Sequence, residues 1–194
     1  MYPVARITVE APVVSVGSGP SDYEELGRYV RALRRPRGLH MTLLHLGVLD
    51  DFCQDVSEWT RGYTSASAAA RSTVAWLHGL PVLEAFSSST ERLIVLGGGS
   101  VSCLEVDVPE RVRDYQVSLV RALHDLLDGL LVDNVDDFIL SSRALGFRSP
   151  HWTPHVAVGS PRARSGRSWE VEPLALQFGE SRIRNRQLLP VVGQ

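Results

Sequence analysis

The run Gly38-Leu39-His40-Met41-Thr42-Leu43-Leu44-His45-Leu46-Gly47 limits the fold more than any other part of the chain. It is apolar, alternating in part and bounded by glycines, and it reads as a β-strand. Side chains alternate across a strand, so His40 and Thr42 share one face, while Met41, Leu43 and His45 share the other. His155 follows His40 by 115 positions, inside His151-Trp152-Thr153-Pro154-His155-Val156-Ala157-Val158-Gly159, where a second strand begins. A titratable imidazole at the head of each strand makes these two stretches the centre of the functional argument.

The segments around them alternate between the periods of helix and strand. Val4 to Val14 is rich in β-branched residues and reads as a strand broken by Pro12. Ser21 or Asp22 can cap a helix over 22–34, where Tyr23, Leu26, Tyr29, Val30 and Leu33 recur at helical spacing. Asp50 and Asp51 suit the start of another helix, running through Val56 and Trp59. Residues 64–73 are small and polar, a weak continuation of that helix or a mobile connection. Pro81 to Phe86 is one candidate strand, and Arg92–Leu96 and Val101–Val108 form a pair across Gly97-Gly98-Gly99-Ser100. The glycine triplet could cradle a phosphate, but with no GxGxxG or GK[ST] context a hairpin turn explains it more cheaply. The longest helix spans 110–129, with Val112, Val117, Leu119, Val120, Leu123, Leu126 and Leu127 inward and Gly129 closing it. A less regular connection over 130–150 leads to the His155 strand. A loop over 160–168, a strand from Leu174 to Phe178 and a closing segment from Ser181 to Val192 follow.

Helix then histidine strand thus occurs twice. The order predicts an α+β fold built as a single bilobal domain over residues 1–194. Each lobe of antiparallel sheet and flanking helices contributes one histidine to a central cleft. The length of 194 residues suffices to bury a core for such a unit.

Composition excludes several chemistries. All 20 basic residues are arginine. Without lysine the chain can hold neither the phosphate-binding Lys of a P-loop nor a Schiff-base or lysyl intermediate. Arginine still makes bidentate contacts with phosphate, so phosphate binding stays open. The net charge of −2 gives no general reason to expect a polyanion partner. Cys53 and Cys103 are far apart and read as buried packing residues of a reducing compartment. No apolar run approaches the roughly 20 residues of a membrane span, and Met1 to Ile7 lacks the pattern of a secretion signal. A cytoplasmic protein with no membrane partner is expected. Charge is uneven, however: Arg143 to Arg186 carries eight arginines against three glutamates, and this block brackets His155 as an anionic substrate would favour.

Two histidines facing one cleft can serve as general acid and general base, since imidazole titrates near neutrality. In phosphodiester cleavage one activates water or a hydroxyl while the other protonates the leaving oxygen. Thr42 can donate to a non-bridging phosphate oxygen, and Trp152 can stack on a base or pack inside. No cofactor or metal is required. His45, His78 and His124 read as packing or solvated residues.

His40-Met41-Thr42-Leu43, continuing Leu-His-Leu-Gly, resembles the first motif of the 2H phosphoesterases, the superfamily of the LigT-like 2′-5′ RNA ligases. Trp152-Thr153-Pro154-His155-Val156-Ala157-Val158 is similar to the segment around the second motif, where a Pro-His pair enters a strand. The resemblance implies metal-independent cleavage or formation of 2′-linked or cyclic phosphodiesters in RNA or nucleotides, with His40 and His155 catalytic. It also implies that Thr42, Trp152 and Thr153 contact a substrate, the partner being RNA ends or a small nucleotide and the protein a monomer. The chain departs from the pattern at Ala157, where the second motif carries Ser or Thr. His151-Trp152-Thr153 is a competing H-x-T, disfavoured because Pro154 would interrupt a strand begun at His151. Two rival classes stand beside this reading. One is a metal hydrolase using His40, His151 and His155; the other is a non-catalytic binder of RNA ends or cyclic nucleotides. A nuclease that destroys cyclic oligonucleotide signals is a variant of the enzymatic reading.

Overall fold

The computed structural model of the protein describes residues 6–145, 152–162 and 168–184. Strand β1 (Arg6–Val16) leads through helix α1 (Pro20–Glu24) and a 3-10 turn (Glu25–Arg28) to β2 (Val30–Arg31). Strand β3 (His40–Val48) is followed by helices α2 (Leu49–Trp59) and α3 (Ala66–Gly79) and the hairpin β4 (Phe86–Leu96) and β5 (Val101–Asp107). Helices α4 (Glu110–Gly129) and α5 (Val135–Ser141) come next, then β6 (His155–Pro161), β7 (Ser168–Phe178) and β8 (Arg182–Arg184). The fold is α+β: a central antiparallel sheet with flanking helices.

Strand pairing runs β6-β3-β1-β7-β4-β5 and returns from β5 to β6, closing a ring. Strand β2 extends β6, and β8 lies along β1. The two histidine strands are therefore direct neighbours in one sheet. Bulges along β1, β3, β4 and β6 supply the bending that closure requires. Met41, Leu44, Leu104 and Val156 enter the core from the strands, and Leu119 and Leu123 enter it from α4.

Tertiary pairing overrides several local periodicities. The helix expected over 22–34 lasts only for α1 and the 3-10 turn, because Val30 and Arg31 pair with Pro161 and Ser160. A methyl group on Gly159 would stand 2.5 Å from Val30 Cγ1, so this approach needs glycine. Strand β1 crosses Pro12 instead of breaking there. Pro12, which has no N–H, sits where β1 exchanges its β3 neighbour for β7: Pro12 opposes His40 and Val13 opposes Phe178. The small, polar 64–73 segment belongs to a separate helix. Arg61 and Gly62 break the chain at positive φ, and Ser65 then caps α3 by accepting from Ala68 N–H at 3.2 Å.

Residues 81–85 are not a strand; β4 starts at Phe86, whose ring stacks on Phe178 at 4.6 Å. The hairpin across Gly97–Ser100 forms as expected, and α4 occupies its expected span. The buried stripe of α4 is Val112, Gln116, Leu119, Leu123 and Leu127, while Val117 is exposed rather than inward. Strand β7 begins at Ser168, six residues before the strand expected from Leu174. Helix α5 gives the 130–150 connection regular structure. Among the described residues no helix is long and apolar enough to cross a membrane.

Gly47 closes the His40 strand under severe constraint. Its φ is +80°, and a Cβ there would lie 2.0 Å from the Ala144 carbonyl oxygen. Gly47→Ala is expected to cost about 3 kcal/mol, from strained backbone plus overpacking. Urea unfolding followed by circular dichroism measures it, and a loss below about 1 kcal/mol would contradict the close approach.

Candidate active site

Strands β3 and β6 meet with Met41 opposite Val156, and both side chains are wholly buried. Extending this antiparallel register by one residue each way sets Thr42 opposite His155 and His40 opposite Ala157. All four residues are half-buried on the face away from the core. His40 and His155 are thus diagonal neighbours, a relation that spans about 7–8 Å.

Each histidine turns Nδ1 toward the carbonyl two residues before it. His155 Nδ1 lies 2.7 Å from the Thr153 carbonyl oxygen, and His40 Nδ1 lies 3.3 Å from that of Gly38. A carbonyl only accepts, so the short contact puts the proton of neutral His155 on Nδ1 and leaves the Nε2 lone pair open. Thr153 thereby acts on His155 through its backbone. The Trp152 indole N–H donates to the Thr42 carbonyl at 3.2 Å, tying the approach to β6 onto β3. Trp152, Thr153 and Pro154 also line a cleft of about 440 Å³ with Arg92, Glu105 and Arg113. Glu105 opposes His155 across β5 and pairs with Arg92 at 3.4 Å. Neither this cleft nor a second, of about 500 Å³ beside Tyr29, Glu91 and Glu172, is lined by His40 or His155.

His45 corrects the expected alternation. Glu10 opposes Thr42 and Val9 opposes Leu44, so Leu43 is the extra residue of a β-bulge. Leu43 and Leu44 are both buried, the phase slips by one, and His45 opposite Thr8 returns to the face of His40 and Thr42. Burial, assisted by Arg6, pulls the His45 imidazole below its ordinary value, which favours the neutral ring.

The sequence reading missed Glu10, Arg182 and Arg184. Glu10 lies on β1 opposite Thr42 and is wholly buried. Its Oε1 accepts from Arg182 Nε at 3.0 Å, and its Oε2 stands 3.5 Å from His40 Nε2 and 3.6 Å from the Arg184 guanidinium. The signal available in the sequence was one acidic residue inside an apolar strand. The basic block disperses: Arg182 and Arg184 reach the His40 side, Arg143 binds Asp55, and Arg162 donates to the Gly27 carbonyl. Arg148, Arg164, Arg167, Arg186 and the competing His151 lie outside the described residues. Among the described residues, no group of three or more His, Cys, Asp or Glu side chains is placed to hold a metal ion.

No protein-family model matches the chain, and no curated protein matches it. Among solved structures it is similar to TT0787 of Thermus thermophilus, with a TM-score of 0.44 and 16% identity, covering 92% of this chain and 83% of that one. It is also similar to a phosphoesterase, with a TM-score of 0.40 and 12% identity, covering 93% of this chain and 97% of that one. Likeness at this level does not bear on activity.

Proposed function

We propose that the protein is a two-histidine phosphoesterase acting on 2′,3′-cyclic phosphates or 2′-5′ linkages of RNA or nucleotides. One observation carries the reading: His40, Thr42 and His155 lie on one face of adjacent strands, the two histidines as diagonal neighbours. In this reading the chain is one bilobal cytoplasmic unit, monomeric, with RNA ends or a small nucleotide as partner. The histidines exchange protons with water and the leaving oxygen, and the Thr42 hydroxyl donates to a non-bridging oxygen. Trp152 and Thr153, which precede His155 in the chain, line a cleft in which the base of the substrate would lie. The acid–base chemistry itself draws on no metal or cofactor.

Hydrolysis of nucleoside 2′,3′-cyclic phosphates and 2′-5′ dinucleotides, in EDTA, tests this with wild type and the His40→Ala, His151→Ala and His155→Ala variants. Turnover that survives EDTA and disappears with His40 or His155 supports the reading; turnover lost in EDTA, or lost only with His151, overturns it.

Ala157 favours a second reading, a protein that binds such ligands without cleaving them. It stands opposite His40 in the register, where a hydroxyl would complete the pair with Thr42. Ala157→Ser is expected to raise turnover about tenfold if the missing donor limits catalysis, since one transition-state donor is worth at least that much. Unchanged turnover with tighter nucleotide binding would favour the binder.

A further inference from the structure

We propose that Glu10 is a positioning residue that keeps a proton on Nε2 of His40, making His40 the acid and His155 the base of the pair. The assignment rests on the two-histidine reading above. The proton placement itself is a property of the unliganded protein and can be tested without any substrate.

Glu10 is wholly buried, yet only one of its oxygens is fully engaged. Oε1 is held by Arg182 through Nε at 3.0 Å and Nη2 at 3.0 Å, two contacts of one guanidinium on a single oxygen. Oε2 is buried with no hydrogen bond among the described residues. Its two neighbours are His40 Nε2 at 3.5 Å and Arg184 Nη1 at 3.6 Å. A buried carboxylate oxygen left in this state seeks a donor, and a carboxylate paired with arginine can only accept. A ring that turns Nε2 toward it therefore carries its proton there.

The other ring nitrogen is compatible with that placement. His40 Nδ1 has an acceptor at 3.3 Å, the Gly38 carbonyl, and a donor at 3.4 Å, Arg184 Nη1. In the neutral ring Nδ1 can accept from Arg184; in the imidazolium it can donate to Gly38. Nε2 is protonated in both. His155 is the reverse, with its proton drawn to Nδ1 by the 2.7 Å contact to Thr153 and its Nε2 bare. Neutral His155 thus presents an Nε2 lone pair as a base requires, while His40 has none at Nε2 and serves there only as an acid, in its imidazolium form.

The separation matters as much as the partner. At 3.5 Å the Nε2–H···Oε2 contact is at the limit of hydrogen bonding, so the proton is oriented without being tightly committed. In hydrolysis of a cyclic phosphate, His155 Nε2 takes a proton from water as the water oxygen bonds to phosphorus. The bond from phosphorus to the 2′ or 3′ oxygen breaks, and that oxygen receives the Nε2 proton of His40 in its imidazolium form, which is left as a neutral ring with its remaining proton on Nδ1. Both rings return to their starting states by exchange with solvent.

Long-range ¹H–¹⁵N correlation spectra of the unliganded, ¹⁵N-labelled protein read the tautomers directly, at a pH where both rings are neutral. His40→Asn and His155→Asn assign the signals. The expected result is Nε2–H for His40 and Nδ1–H for His155. Glu10→Gln, which can offer an amide donor in place of a pure acceptor, is expected to abolish the Nε2–H preference of His40 and leave His155 unchanged. Its turnover should fall up to about a hundredfold with KM within twofold, and Glu10→Asp should recover part of that loss. Nδ1–H at His40 in the wild type overturns the proposal even if the buried variant fails to fold. An unchanged His40 tautomer in a folded Glu10→Gln variant also overturns it. The expected tautomers in a protein that cleaves no phosphodiester would uphold the Glu10 placement and overturn the phosphoesterase reading.

Discussion

Alanine at His155 or at His40 is expected to lower turnover of a 2′,3′-cyclic nucleotide by about a hundredfold to ten-thousandfold, the usual worth of one acid or base group. The fold should survive both changes. Each ring lies half-buried on the outer face of a strand whose inner face, through Met41 or Val156, is anchored in the core. The two losses should not add in a double variant, because the rings act on one transition state as a unit. Steady-state rates, paired with melting curves for each variant, separate lost chemistry from lost structure. Full activity in either well-folded single variant would remove that histidine from the mechanism.

A large effect on stability is also expected at Asp55, on α2 and far in sequence from what it holds. Its carboxylate accepts from Ser142 Oγ at 2.7 Å, from Arg143 N–H at 2.9 Å and from Ala144 N–H at 3.3 Å, and it pairs with the Arg143 guanidinium at 2.9 Å. It thereby fastens the end of α5 and the chain beyond it against α2, beside the contact between Gly47 and Ala144. Asp55→Ala strands several donors at once and is expected to cost about 2–4 kcal/mol, read as a shift in the urea midpoint at constant slope.

Acid should expose the same interaction. Burial alone would raise the Asp55 carboxyl, but the hydrogen bonds from Ser142, Arg143 and Ala144 and the Arg143 charge outweigh it and hold it below the ordinary carboxylate range. A depressed carboxyl stabilises the fold at pH above its unfolded value, about 3.9. That contribution is lost as pH falls through the lower folded value. Asp55→Asn should flatten this part of the acid limb of stability; an unaltered limb would assign acid sensitivity to other carboxylates.

Much of this architecture is legible in the chain alone. The helices over Asp50 to Trp59 and Glu110 to Gly129 and the hairpin across the glycine triplet carry strong local signals. The strands entered at His40 and His155 have the same legibility. In each, the period, the cap or the turn residues are contained within the segment itself. His40, Thr42 and His155 are conspicuous for the same reason, since an imidazole or hydroxyl in an apolar strand stands out without any partner.

What the segments could not contain was their neighbours. Val30 leaves its apparent helix because a partner strand waits at Pro161, and Pro12 stays within a strand because the sheet changes partner there. His45 changes face through one extra residue, Leu43, in pairing with β1. Glu10, Arg182 and Arg184 come together from opposite ends of the chain. Local periodicity records what a residue needs, burial or solvent, over a few positions. Register, bulges and the meeting of distant charges depend on which strand lies alongside, and that is settled only when the whole sheet forms. Local chemistry along the chain set the elements and marked the two histidines; the assembled sheet alone decided which groups would stand around them.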